Sequence, residues 1–137
     1  VTERIGKDVG IDVNLRRLPP DVQAQMRRIW SDEEWAALSV EERERLSAWI
    51  IQLISTDIAE AMAAGTFDSR ADAHTSRTIS VVDEQGWREL TRIQAEALEA
   101  SFAVQAESAE RLAESGEAEI AAMSAMICCE LPRRSSD

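Results

Sequence analysis

Gly65-Thr66-Phe67-Asp68-Ser69-Arg70-Ala71-Asp72-Ala73-His74-Thr75-Ser76-Arg77, followed shortly by Asp83-Glu84-Gln85-Gly86-Trp87, separates two long helical patterns and sets the limits of both. Upstream, Leu46, Trp49, Ile50, Leu53, Ile54, Ile58 and Met62 recur at helical spacing. Ser39-Val40-Glu41-Glu42 opens that helix with a capping box, in which Ser and Glu satisfy each other's first-turn amides. Gly65 is predicted to close it, because glycine tolerates the left-handed conformation found at helix ends. Downstream, Asp83 is the expected N-cap of a second helix running to Gly116. Its apolar positions are Trp87, Leu90, Ile93, Ala97, Leu98, Phe102, Val104 and Leu112. Between the two helices, the β-branched run Thr78-Ile79-Ser80-Val81-Val82 predicts a short strand.

Further out, Val9, Ile11, Val13 and Leu15 alternate with polar residues over positions 8–15, the pattern of a half-buried strand. Pro19-Pro20 stops it and starts an amphipathic helix over 20–30, carrying Val22, Met26, Ile29 and Trp30. Ser31-Asp32-Glu33-Glu34 is a second capping box, opening a turn or two around Trp35 and Leu38. Ile120 to Leu131 carries no charge before Glu130 and reads as a buried strand, which Pro132 ends. The expected fold is therefore α+β and helix-dominated, with long amphipathic helices packed on a small antiparallel sheet. It forms a single domain over residues 1–131, with a disordered tail over 132–137.

At 137 residues the chain suffices for one core, and its 45% hydrophobic content comes largely from alanine, with 4% aromatics and no tyrosine. The net charge of −11 and a single lysine, Lys7, argue against this polypeptide gripping a phosphate backbone. It is expected to bind duplex DNA negligibly at physiological salt, and salt-sensitive micromolar binding in a titration would overturn that. No apolar run approaches the roughly 20 residues needed to span a bilayer, and no signal-peptide pattern opens the chain, so a cytoplasmic location is expected. Cys128 and Cys129 are adjacent, and on a strand they would point to opposite faces, so they are read as buried, reduced thiols and not as joint metal ligands.

His74 is the only histidine and the first residue to test for chemistry. Catalysis or metal binding needs converging partners, and no second His, Cys or activated nucleophile stands at motif spacing. With Asp68 and Asp72 nearby, His74 reads better as a structural anchor for the helix-to-strand corner than as an acid–base group. Arg70 and Arg77 are bidentate donors, either paired with neighbouring carboxylates or clamping an anionic effector. No catalytic, cofactor-binding or metal residue is assigned. Trp49 and Trp87 sit on apolar stripes and are expected in the core, whereas Trp30 and Trp35 flank a polar connector and are candidates for a cleft or a subunit contact.

The helix ending at Gly65-Thr66-Phe67, the Asp72-Ala73-His74-Thr75-Ser76-Arg77 run and the Asp83-Glu84-Gln85-Gly86-Trp87 helix opening together resemble a segment of ArsR-like bacterial winged-helix transcriptional regulators. The resemblance covers roughly residues 45–131 and falls after the DNA-reading domain. It implies a dimerisation or effector-sensing domain, with DNA read through a preceding winged helix, a small-molecule effector and no enzymatic activity. It also implies that the His-x-Ser-Arg run is a fixed polar anchor. The alternative is a helical adaptor that binds other proteins without a regulatory role.

A homodimer is expected from helix length. Residues 84–115 would span about 48 Å at about 1.5 Å per residue, more than the roughly 37 Å diameter of a compact domain of this size. Leu98, Phe102 and Leu112 are the expected interface residues, unless the helix breaks near Ser101 and folds back.

Overall fold

The computed structural model describes residues 30–133, which contain three helices: α1 (Asp32–Ala37), α2 (Val40–Ala64) and α3 (Glu84–Ser115). The chain divides into two compact units between Ala73 and His74, inside the connector, with α1 and α2 in the first and α3 in the second. The strand expected over 8–15, the bulk of the 20–30 helix and the last four tail residues lie outside the described residues.

In the first unit, both capping boxes form. Ser31 Oγ accepts from the Glu34 amide at 3.1 Å while the Ser31 amide donates to Glu34 Oε2 at 3.0 Å. The same exchange joins Ser39 and Glu42 at 3.2 and 2.8 Å. The second start, eight residues after the first, limits α1 to 6 residues, and α2 then runs for 25. Helix α2 stops where glycine allows it to: Gly65 takes φ +74°, and the Thr66 and Phe67 amides both fold back onto the Ala61 carbonyl at 2.9 and 3.2 Å. The Thr66 hydroxyl joins them at 3.3 Å, so the Gly-Thr-Phe step is a C-terminal cap built around one carbonyl.

Trp49, 4% exposed, is the one buried hydrophobic residue among the described residues, and Gln52 lies buried three positions further along the same helix face. Leu46, Leu53, Ile54 and Ile58 are half-buried. Ile50 and Met62, expected on the same stripe, are 39% and 57% exposed. The sequence stripe is thus wider than the face that α2 covers.

In the second unit, Asp83 caps α3 by accepting from the Gly86 amide at 2.8 Å. The helix continues for 32 residues to Gly116, which takes φ +66°. It does not break at Ser101, whose hydroxyl donates to the Ala97 carbonyl at 2.8 Å and leaves the helix ladder intact.

The α+β expectation is overturned. Among the described residues there is no strand, and therefore no antiparallel sheet. Thr78–Val82 is exposed throughout, Val81 completely so, and makes no backbone-to-backbone hydrogen bond among the described residues. β-Branched side chains favour extended backbone, but a strand also needs a neighbour to pair with. The same correction applies to 120–131, where Ile120, Ile127 and Leu131 are more than half exposed and no ladder forms.

Candidate functional site

The connector holds Arg70, His74 and Arg77, and the structure gives the first two a partner within it. The Arg70 guanidinium donates from Nε to Asp72 Oδ1 at 3.0 Å and from a terminal nitrogen to Oδ2 at 3.2 Å, a bidentate pair. That hydrogen bond, with the Arg70 charge behind it, holds the Asp72 carboxyl below its ordinary range. A carboxyl lowered in the folded state favours folding above its unfolded value and loses that effect as the pH falls through the folded one. Both side chains are more than half exposed, so water screens the pair and its weight in stability is small.

His74 Nε2 lies 2.9 Å from Ser76 Oγ, and both residues are exposed. A polar contact on the surface does not make the buried anchor expected for a helix-to-strand corner, and the corner itself has no strand. Arg77 is exposed and makes no ion pair among the described residues. The three candidates are thus surface residues, two of them in contact with a neighbour two positions along the chain. Among the described residues no group of three or more His, Cys, Asp or Glu side chains is placed to hold a metal.

Beside α1 and the start of α2 lies a shallow, open hollow of about 470 Å³, lined by Trp35, Val40, Ala48 and Ile51 with Arg43 and Glu44 among them. Trp35, expected with Trp30 to line a cleft or a subunit contact, borders this hollow, and Trp30 does not. Gln52 was missed by sequence reasoning. Its only signal is its place on the Trp49 face, and a hydrophobic pattern cannot flag an amide.

Helix α3 presents two distinct faces. Trp87, Thr91, Gln94, Leu98, Ser108 and Leu112 are half-buried and follow one side of the helix, a seam of mixed polarity. Ile93, Ala97, Ala100 and Val104 follow another side at four- and three-residue steps, all exposed, with Ile93 at 52% and Val104 at 60%. Glu89, Glu96, Glu107 and Glu114, seven or eleven residues apart, line one edge of this second seam. Phe102, 36% exposed, lies one turn beyond Leu98 on the side of the half-buried row. The expected interface trio Leu98, Phe102 and Leu112 therefore includes two residues already partly covered, while the open apolar row is Ile93 to Val104.

No family model, curated protein or solved structure matches this chain. Among the described residues no helix is long and apolar enough to cross a membrane.

Proposed function

We propose that this chain acts by association and not by catalysis, as the dimerisation or effector-sensing part of an ArsR-like transcriptional regulator in the bacterial cytoplasm. Helix α3 pairs with its counterpart from a second copy. The open row Ile93, Ala97, Ala100 and Val104 carries this reading, because four- and three-residue steps suit helices packed at a shallow angle and the two alanines permit close approach. Two junctions are in keeping with the regulator reading, α2 ending at Gly65-Thr66-Phe67 and α3 opening at Asp83-Glu84-Gln85-Gly86-Trp87, whereas the short strand that the resemblance implies between them is absent among the described residues. DNA contact belongs to a winged helix, and the effector part of the reading rests on the resemblance alone.

The acidic edge gives the pairing a distinctive salt dependence. Two copies bring Glu89, Glu96, Glu107 and Glu114 near like charges, so screening strengthens the dimer. Light scattering at micromolar concentration is expected to give twice the 15.2 kDa chain mass, with more dimer at about 0.5 M salt, where the Debye length is about 4 Å, than at about 0.05 M, where it is about 14 Å. Val104→Glu should shift the sample toward monomer. If Phe102→Glu does so and Val104→Glu does not, the interface lies on the opposite face. A monomer under all conditions overturns the reading. Tight, salt-weakened binding of a basic partner helix by that monomer would point to the adaptor.

A further inference from the structure

The open apolar row on α3 reads alike in both directions. Ile93, Ala97, Ala100 and Val104 follow one another at steps of four, three and four residues, with a large side chain at each end and two alanines between. Turned end to end about the point between Leu98 and Glu99, the row falls on itself: Ile93 takes the place of Val104, and Ala97 that of Ala100. A closed two-fold interface must be self-complementary. An antiparallel pair centred there meets that condition, with the small residues at the closest approach.

Charge separates this arrangement from its parallel counterpart. Arg111 is exposed and lies seven residues beyond Val104, two turns along the same side of the helix. It donates to Ser108 Oγ at 2.9 Å and makes no ion pair among the described residues. Glu89, on the edge of the row, also lacks an ion pair there and accepts from Gln85 Nε2 at 3.0 Å. In a parallel pair Arg111 would meet the partner's Arg111, like charge on like. In the antiparallel pair it comes opposite the partner's Gly86. The partner's Glu89 is then three residues away, about 4.5 Å along the axis, a gap that an arginine side chain can span.

We propose that two α3 helices pair antiparallel, in the register that sets Ile93 against the partner's Val104 and Ala97 against the partner's Ala100, with Arg111 bound to the partner's Glu89 at both ends. This register rests on the α3 pairing proposed above and adds its direction. Opposed helix dipoles favour the same direction. Glu107, four residues before Arg111, also comes against the partner's Glu89, so the acidic edge stays net repulsive and the salt dependence keeps its sign.

Disulfide cross-linking of the full chain tests the register, in a Cys128→Ser/Cys129→Ser background that removes the two free thiols, one half-buried and one exposed. Oxidised together, Ile93→Cys and Val104→Cys chains are expected to form the mixed disulfide, read by intact mass. Either variant oxidised alone is expected to stay unlinked. Its two cysteines would lie about 16 Å apart along the pair, whereas a disulfide spans roughly 4.4–6.8 Å between α-carbons. Self-linking of each variant alone would make the pair parallel and overturn the proposal. No link in a sample that still scatters as a dimer would overturn it too and move the interface to another face. A monomeric unsubstituted chain would instead overturn the pairing itself, and this register with it. A charge swap reads the same register without cysteines. Arg111→Glu should weaken the dimer by about 2- to 30-fold, the worth of two exposed ion pairs. Adding Glu89→Arg should restore it, and adding Glu99→Arg, the same charge change on a side of α3 away from the row, should not. Equal recovery from both would overturn the contact between Arg111 and the partner's Glu89.

Discussion

Trp49→Ala is expected to destabilise the protein by about 3–5 kcal/mol, the cost of removing a large buried aromatic and leaving a cavity. Trp49 is 4% exposed and is the one buried hydrophobic residue among those described, so few other contacts can compensate for it. Domains of this size are stable by only about 5–15 kcal/mol, and the variant should therefore unfold at a much lower denaturant concentration. Urea unfolding followed by circular dichroism measures this. Two contrasts give it meaning. Ile50 shares the same helix but is 39% exposed, and truncating it should cost far less. His74→Ala, at an exposed position with one surface contact, should stay within about 0.5 kcal/mol of the native chain. If Trp49→Ala costs no more than Ile50→Ala, the weight of the core lies elsewhere.

Gly86→Ala should destabilise the chain by about 1–3 kcal/mol, although alanine normally strengthens a helix by nearly 1 kcal/mol over glycine. The reversal follows from the start of α3. A β-carbon at position 86 would lie 2.9 Å from Val82 Cβ and 3.1 Å from the Asp83 carboxylate oxygen that caps the helix. Val82 Cβ is fixed to the backbone and cannot swing aside, so the N-cap geometry must shift. Removing the obstructing atom with Val82→Gly in the Gly86→Ala background should recover part of the loss, a coupling that a double-mutant cycle reads directly. Additive losses would show that the clash is not the cause.

The helices were legible because their limits depend on a few adjacent residues. Ser39 with Glu42, Asp83 with Gly86, and the left-handed Gly65 and Gly116 act within four residues of themselves, and no distant partner decides them. The strands were not legible, for the opposite reason. Thr78–Val82 has the side chains of a strand, but a strand exists only when a second segment supplies hydrogen bonds, and composition does not reveal that. Burial on α3 was half legible. Periodicity grouped Ile93, Ala97 and Val104 with Trp87, Leu98 and Leu112, whereas the half-covered row passes through Thr91, Gln94 and Ser108 instead. Apolar character marks what a helix can bury, and the neighbour decides what it does bury. In the candidate site, the acidic residues around Arg70 announced a carboxylate partner, but nothing in the sequence distinguished an exposed His74 from an anchoring one.

The connector has a consequence for how such a chain can diverge. From Ala71 to Gln85 every residue is exposed, and within 70–82 the one backbone-to-backbone hydrogen bond runs from the Ala73 amide to the Arg70 carbonyl at 3.2 Å. Lengthening a segment of this kind changes mainly its closure entropy, about 0.6 kcal/mol for each doubling. Insertions between Ala71 and Val81 should therefore be accepted with little loss, as in other exposed loops. Gly65 and Asp83 do not share that freedom, since each terminates a helix through its own backbone or side chain. Variation in this region should thus be wide in length and narrow at its two ends.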